Sequence, residues 1–202
     1  MFITFEGLDF CGKSTQVELL KKHFEEKGKT VKIIREPGGV KISEKIRSIL
    51  LDNENSEMFS ETELLLFSAS RAQLVREKII PFLESDYVVI SDRFHDSSIA
   101  YQGFGRGIDS KFVIDLQKFA IGNAIPDLTF FIDIPITEVL KRKQKLVNAQ
   151  LDRIEVSESD FYEKVREGYK FLSKNEERFK LIDGLMTIEE VHNEVLSYLT
   201  ND

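Results

Sequence analysis

The stretch Phe2-Ile3-Thr4-Phe5-Glu6-Gly7-Leu8-Asp9-Phe10-Cys11-Gly12-Lys13-Ser14-Thr15 holds an apolar run, a glycine-bounded loop and the start of a helical pattern. The run Phe2 to Phe5 reads as a buried strand. Gly7 to Ser14 (GLDFCGKS) matches G-x-x-x-x-G-K-[ST] at every fixed position, and TQVELLKKHF behind it has helical spacing, with Val17, Leu20 and Phe24 on one face. Strand, loop and helix in this order make a phosphate cradle. Backbone N–H groups at a helix start surround a phosphate only where side chains do not obstruct them, and Gly7 and Gly12 give that access. Lys13 then offers a compact positive charge to the transferable phosphates, and the Ser14 hydroxyl is the expected ligand of the accompanying Mg²⁺. Gly7, Leu8, Asp9, Phe10, Cys11, Gly12, Lys13, Ser14 and Thr15 are therefore the expected ATP contacts. Cys11 has no visible partner base and reads as a small filler of the loop.

Further along the chain, apolar runs recur at Val31 to Ile34, Tyr87 to Ile90, Leu128 to Ile134 and Phe179 to Ile182, each with the character of a buried strand. Helical patterns lie between them, as at Ser14 to Lys27 and Glu61 to Leu83. Alternation of this kind predicts an α/β fold: five parallel strands with helices on both faces, and ligands beyond the carboxyl ends of the strands. No linker-like stretch or repeat interrupts residues 1–202, which read as one domain.

Composition narrows the partners. The net charge of −7 argues against general binding of nucleic acid or anionic membrane surfaces, while a small anion in a local basic pocket stays open. One cysteine among 202 residues excludes an intrachain disulfide and favours a reducing compartment. No apolar run approaches the roughly 18 residues of a membrane span, and MFITFEG lacks the form of a secretion signal, so a cytoplasmic protein is expected.

A phosphate loop alone does not separate a GTPase, an ATPase and a small-molecule kinase. The chain has no N-K-x-D base-recognition motif and neither H-R-D nor D-F-G, which sets aside GTPases and protein kinases. After the third run come Asp92, a candidate for the magnesium shell, and Arg93, a candidate for bidentate binding of a second phosphoryl group.

FITFEGLD..GKSTQ, REPGG (Arg35 to Gly39), LLFSASRAQ (Leu65 to Gln73), DRF..SS.AYQGFGRG (Asp92 to Gly107), PDLTFFID (Pro126 to Asp133) and LDRIE (Leu151 to Glu155) follow one another in the order seen in thymidylate kinases of the bacterial type. The chain resembles that family over nearly its whole length. The resemblance implies a P-loop NTPase fold with a short lid, and phosphorylation of dTMP to dTDP by ATP with Mg²⁺. It implies that thymine stacks on Phe67 and is read by Arg71, that Arg93 and Arg47 hold the dTMP phosphate, and that Ser98, Tyr101 and Gln102 lie near the ring and sugar. Glu36 and Asp9 match acidic positions near the sugar 3′-hydroxyl or the metal. It also implies a homodimer, for which the Phe-bearing helix at Glu61 to Leu83 is the candidate face. Without the resemblance, Phe67 reads as a core residue and Arg71 as a solvated one.

One branch of the family carries Arg at the position of Phe10 and the other Gly; this chain has neither. The cations that neutralise the transferred group are then expected from a lid at about 141–153, where Lys141, Arg142, Lys143, Lys145 and Arg153 face only Asp152. Arg142 and Arg153 are the leading candidates, beside Lys13, Arg93 and Asp9, for a catalytic part. His23, His95 and His192 lack metal-ligand spacing and read as packing residues. Two other functions share the phosphate loop: a kinase of another nucleotide or nucleoside, and an ATP-binding regulatory module without transfer.

Overall fold

The computed structural model describes residues 1–145, 152–155 and 159–199. The chain runs β1 (Phe2–Glu6), α1 (Lys13–Glu26), β2 (Val31–Arg35), α2 (Lys41–Leu51), α3 (Ser60–Leu74), α4 (Ile80–Glu84), β3 (Val88–Asp92), α5 (His95–Ser98), α6 (Ser110–Ile121), β4 (Leu128–Asp133), α7 (Ile136–Gln144), α8 (Ser159–Asn175), β5 (Phe179–Asp183) and α9 (Ile188–Ser197). Two π-helical segments, Val75–Ile79 and Ile99–Gly105, join α3 to α4 and extend α5. All strand pairs are parallel, in the order β2-β3-β1-β4-β5.

Strand alternation explains why both faces are covered. In β1 and β3, Ile3, Phe5, Val88 and Ile90 join one apolar cluster, while Phe2 and Val89 join another. Residues one apart point to opposite faces of a pleated strand, so a strand apolar at successive positions needs helices on both sides. The first cluster takes Leu20 and Phe24 of α1, Val165 and Tyr169 of α8 and Val195 of α9; the second takes Leu74, Val75 and Ile79.

The five expected strands are present. The helical pattern at Glu61 to Leu83 is not one uniform α-helix but is broken by the π segment at 75–79. Pro81 has no N–H to return to the carbonyl four residues earlier, and here the Ile80 N–H reaches Val75 instead. Part of the expected lid, 146–151, lies outside the described residues; its flanks, 141–145 and 152–155, are within them. Among the described residues no helix is long and apolar enough to cross a membrane.

Candidate active site

The phosphate loop leaves the central strand β1 at its carboxyl end. Gly7 has φ 139°, and a Cβ there would stand 2.5 Å from the Ile132 carbonyl oxygen and 2.9 Å from Cys11 Sγ, so only glycine fits without displacement. Cys11 is buried beneath it, as a filler should be. Phe10 adopts a left-handed φ of 64°, a conformation that Gly would enter without strain. Lys13 is buried, its Nζ donating to the carbonyls of Leu8 at 2.8 Å and Gly7 at 3.3 Å. Ser14 Oγ donates to Asp92 Oδ2 at 2.6 Å, which joins the start of α1 to the end of β3. A hydroxyl and a carboxylate are the hard oxygen donors that suit Mg²⁺. Among the described residues no group of three or more His, Cys, Asp or Glu is placed to hold a metal, and an ion at Ser14 and Asp92 would take its other ligands from phosphate and water.

Arg93 follows β3 with a left-handed φ of 67°. Its NH2 donates to Asp9 Oδ1 at 2.6 Å and to the Tyr101 hydroxyl at 3.1 Å; its NH1 reaches the Gly7 carbonyl at 3.0 Å. Burial alone would push the Asp9 carboxyl up, but the charges of Arg93 and Lys13 hold it below the usual range. Burial likewise opposes the charge on Arg93, and Tyr101 and Asp9 more than compensate. The result is an ionised pair at the loop, with the guanidinium touching the loop backbone.

Around this pair opens a cavity of about 550 Å³. Asp9, Phe10, Gly12, Lys13, Ser14 and Thr15 line its loop side, and Glu36, Arg47, Phe67, Arg71, Asp92, Arg93, Ser98, Tyr101 and Gln102 are among the residues around the remainder. Arg71 is 1% exposed rather than solvated. Its Nε donates to Glu36 Oε2 at 2.7 Å, its NH1 to Ser98 at 2.9 Å and Gln117 at 2.5 Å, and its NH2 to the Phe94 carbonyl at 3.1 Å. The fork is therefore committed to protein partners, and any contact with a pyrimidine carbonyl has to be shared with one of them. Among the described residues Glu36 Oε1 is buried without a partner, and burial raises its carboxyl despite Arg71. Arg47 NH1 donates to the Pro37 carbonyl at 2.8 Å.

The two lid candidates part company. Arg142 lines the cavity, donating through NH1 to the Phe10 carbonyl at 3.1 Å and through Nε to Glu138 at 2.8 Å. Arg153 does not line it. It is buried, with NH2 on Glu63 Oε2 at 2.6 Å and Nε on the Leu50 carbonyl at 2.9 Å, so it ties the 152–155 segment to α2 and α3 instead of facing the loop. Its charge is drawn away because Glu63, 1% exposed, has to be neutralised where it lies. Gly7, Leu8 and Cys11 also sit outside the lining, behind the loop.

Several lining residues have no part assigned to them by the sequence motifs: Arg35, Ser97, Asp152 and Glu155. Ser97 stands beside the expected Ser98, and Asp152 and Glu155 lie within the quoted LDRIE; adjacency was the available signal. Glu63, which takes Gln102 Nε2 at 2.9 Å, Arg106 and Arg153, left none, since an acid in the first turn of a helix looks like an ordinary exposed residue.

Comparison with known proteins points the same way as this geometry. Residues 5–195 match the family model described as thymidylate kinase. The thymidylate kinase of Kosmotoga olearia is 48% identical over 197 residues, covering 97% of this chain and 93% of the relative. That of Thermosipho africanus is 50% identical over 197 residues, covering 98% and 96%. The crystal structure of thymidylate kinase from Ehrlichia chaffeensis superposes with a TM-score of 0.79 at 36% identity, covering 99% of this chain and 98% of that one. A phosphate loop on the central strand, an arginine packed against its backbone and full-length similarity at this level lead to one assignment: the chain belongs to the thymidylate kinase family.

Proposed function

We propose that ATP lies on the loop Gly7 to Thr15, that dTMP lies against Arg93, Arg47, Phe67 and Arg71, and that the dTMP phosphate attacks the γ-phosphorus directly. Transfer of the γ-phosphoryl group of ATP to dTMP, giving ADP and dTDP, is the reaction of the family, and the chain is a nucleoside monophosphate kinase. The observation that carries the assignment of residues is the 3.0 Å contact of Arg93 NH1 with the Gly7 carbonyl, which sets an acceptor-phosphate cation against the donor loop.

Each residue then has a part. Lys13 and Arg142 balance charge that develops on the transferred group, and Arg93 orients the acceptor phosphate, exchanging part of its hold on Asp9 for phosphate oxygen. As the acceptor oxygen bonds to the γ-phosphorus, the bond from that phosphorus to the bridging oxygen of ADP breaks. A phosphate monoester is mostly ionised near neutral pH, so no histidine base is required. Mg²⁺ at Ser14 and Asp92 would neutralise phosphate charge when bound. Phe67 offers an aromatic face for stacking, Tyr101 fills the space beside the sugar, and the unpartnered Glu36 Oε1 suits a sugar hydroxyl.

We read residues 1–202 as one kinase domain working in the cytoplasm on a small molecule, without nucleic acid, and as a homodimer. Leu65 of α3 and Phe112 and Phe119 of α6, the last 76% exposed, supply an apolar face for a second copy. Sedimentation of the purified protein at twice the chain mass supports this, and a monomer at micromolar concentration removes it.

Turnover tests the main reading. ADP release by the purified protein with ATP and Mg²⁺ is expected to rise most with dTMP, above dUMP, dCMP and AMP. A preference for another acceptor points to a different nucleotide kinase, and binding of ATP without transfer to any acceptor points to a regulatory module.

A further inference from the structure

Glu6 is the last residue of β1, immediately before the phosphate loop, and it is wholly buried. A buried carboxylate is costly unless donors surround it, and this one meets three. Its Oε1 accepts the Phe94 N–H at 2.8 Å; its Oε2 accepts the Ser97 hydroxyl at 2.6 Å and the Tyr169 hydroxyl at 2.8 Å. These donors surround Arg93. Arg93 NH1 lies 3.2 Å from both the Ser97 and the Tyr169 hydroxyl oxygens, and Phe94 is the next residue in the chain.

The backbone of Arg93 is clamped in the same way. Its own N–H donates to the Phe5 carbonyl at 3.0 Å, its carbonyl accepts the Ser91 hydroxyl at 2.6 Å, and the following N–H ends on Glu6. A non-glycine residue at φ 67° persists only where its surroundings over-determine it. Here the over-determination runs through one carboxylate that grips both the peptide after Arg93 and the two hydroxyls under its guanidinium. We propose that Glu6 is a positioning residue for the acceptor: it holds Arg93 in the left-handed conformation that aims the guanidinium at the acceptor phosphate, and it does so without touching either substrate. The proposal rests on the reading of Arg93 as the acceptor-phosphate ligand.

Chemistry dictates why the residue is an acid. Two carboxylate oxygens accept from all three donors at once, whereas an amide of the same shape has one oxygen and a nitrogen that donates. In Glu6→Gln the amide nitrogen either faces the Phe94 N–H or turns to the two hydroxyls, which then accept from it and lose the carboxylate oxygen they both donate to, so the peptide after Arg93 or the hydroxyl pair beneath it changes its hold.

Steady-state kinetics at pH 8 test this, above the value of about 7 to which burial and the charge of Asp96 push the Glu6 carboxyl. Glu6→Gln is expected to lower kcat/KM for dTMP at least about tenfold while KM for ATP stays within about threefold. In an Arg93→Gln background the same substitution is expected to change kcat/KM for dTMP by less than about threefold, because the group it positions has gone. Parental dTMP kinetics in Glu6→Gln, or an equal loss in both backgrounds, would overturn the proposal and leave Glu6 as a structural acid. An Arg93→Gln protein with parental dTMP kinetics would remove the reading beneath the proposal, and the proposal with it. Should Glu6→Gln not fold, Tyr169→Phe takes away one donor from a residue outside the cavity lining; about a threefold fall for dTMP, absent in the Arg93→Gln background, supports the proposal, and an unchanged value overturns it.

Discussion

Asp92 and Arg93 are neighbours in sequence with opposite charges and different tasks. Asp92 accepts from Ser14 at the start of α1, whereas Arg93 turns through its positive φ toward Asp9. Asp92→Asn keeps the shape and removes the charge. Its kcat is expected to fall about 10²-fold or more and its requirement for Mg²⁺ to rise, with dTMP binding unchanged in calorimetry. Weakened dTMP binding of the same size would place Asp92 on the acceptor instead. At this scale legibility followed sequence distance. Lys13 and Ser14 could be read directly, because the loop that uses them is local. Arg71 could not, because Glu36, Ser98 and Gln117, which bury it, lie 35, 27 and 46 residues away. Glu6 is further still from its partners, 88 residues from Phe94 and 163 from Tyr169.

The helices show what periodicity carries and what it omits. Strand and helix alternation was plain in the sequence, since one-sided burial of a helix leaves a repeat of 3.6 and burial of a strand on both faces leaves a short unbroken apolar run. The π segments were not, for they depend on single departures such as Pro81 that barely disturb the apolar pattern. The segment Ile99–Gly105 carries Tyr101 and Gln102 into the cavity and packs on α8 through two glycines. A Cβ on Gly168 would lie 2.9 Å from the Ala100 Cα, and one on Gly105 would lie 2.6 Å from Phe161 Cε2. Gly168→Ala is therefore expected to cost about 1–3 kcal/mol in urea denaturation and to raise KM for dTMP more than KM for ATP, as α8 pushes the segment off its place. A variant as stable as the parent would show that the two elements can separate freely.

Over the whole molecule, two buried groups make stability depend on pH in opposite directions. Burial lowers His95 to about 4 from an ordinary 6.5, so the unfolded chain takes up a proton that the folded one refuses, and about 3 kcal/mol is lost as pH falls from about 6.5 to about 4. Burial and Asp96 raise Glu6 to about 7 from 4.5, so the folded chain keeps a proton that the unfolded one releases, and a similar amount is lost as pH rises from about 4.5 to about 7. The two slopes oppose each other between about pH 4.5 and 6.5. His95→Gln removes one of them, and its denaturation midpoint is expected to fall from pH 5 to pH 7 while that of the parent stays nearly level; parallel profiles would refute the assignment. The sheet itself was legible as parallel, but its order β2-β3-β1-β4-β5 was not, because pairing joins strands that no local pattern connects. That order brings Lys13 and Ser14 after β1 together with Asp92 and Arg93 at the end of β3 on one rim. The opposite rim is where Gly28 turns the chain from α1 into β2 at φ 75°, with open space around it. A peptide grafted there should leave turnover intact, and a chain tethered to a solid support by that end would keep its working side turned toward the bulk.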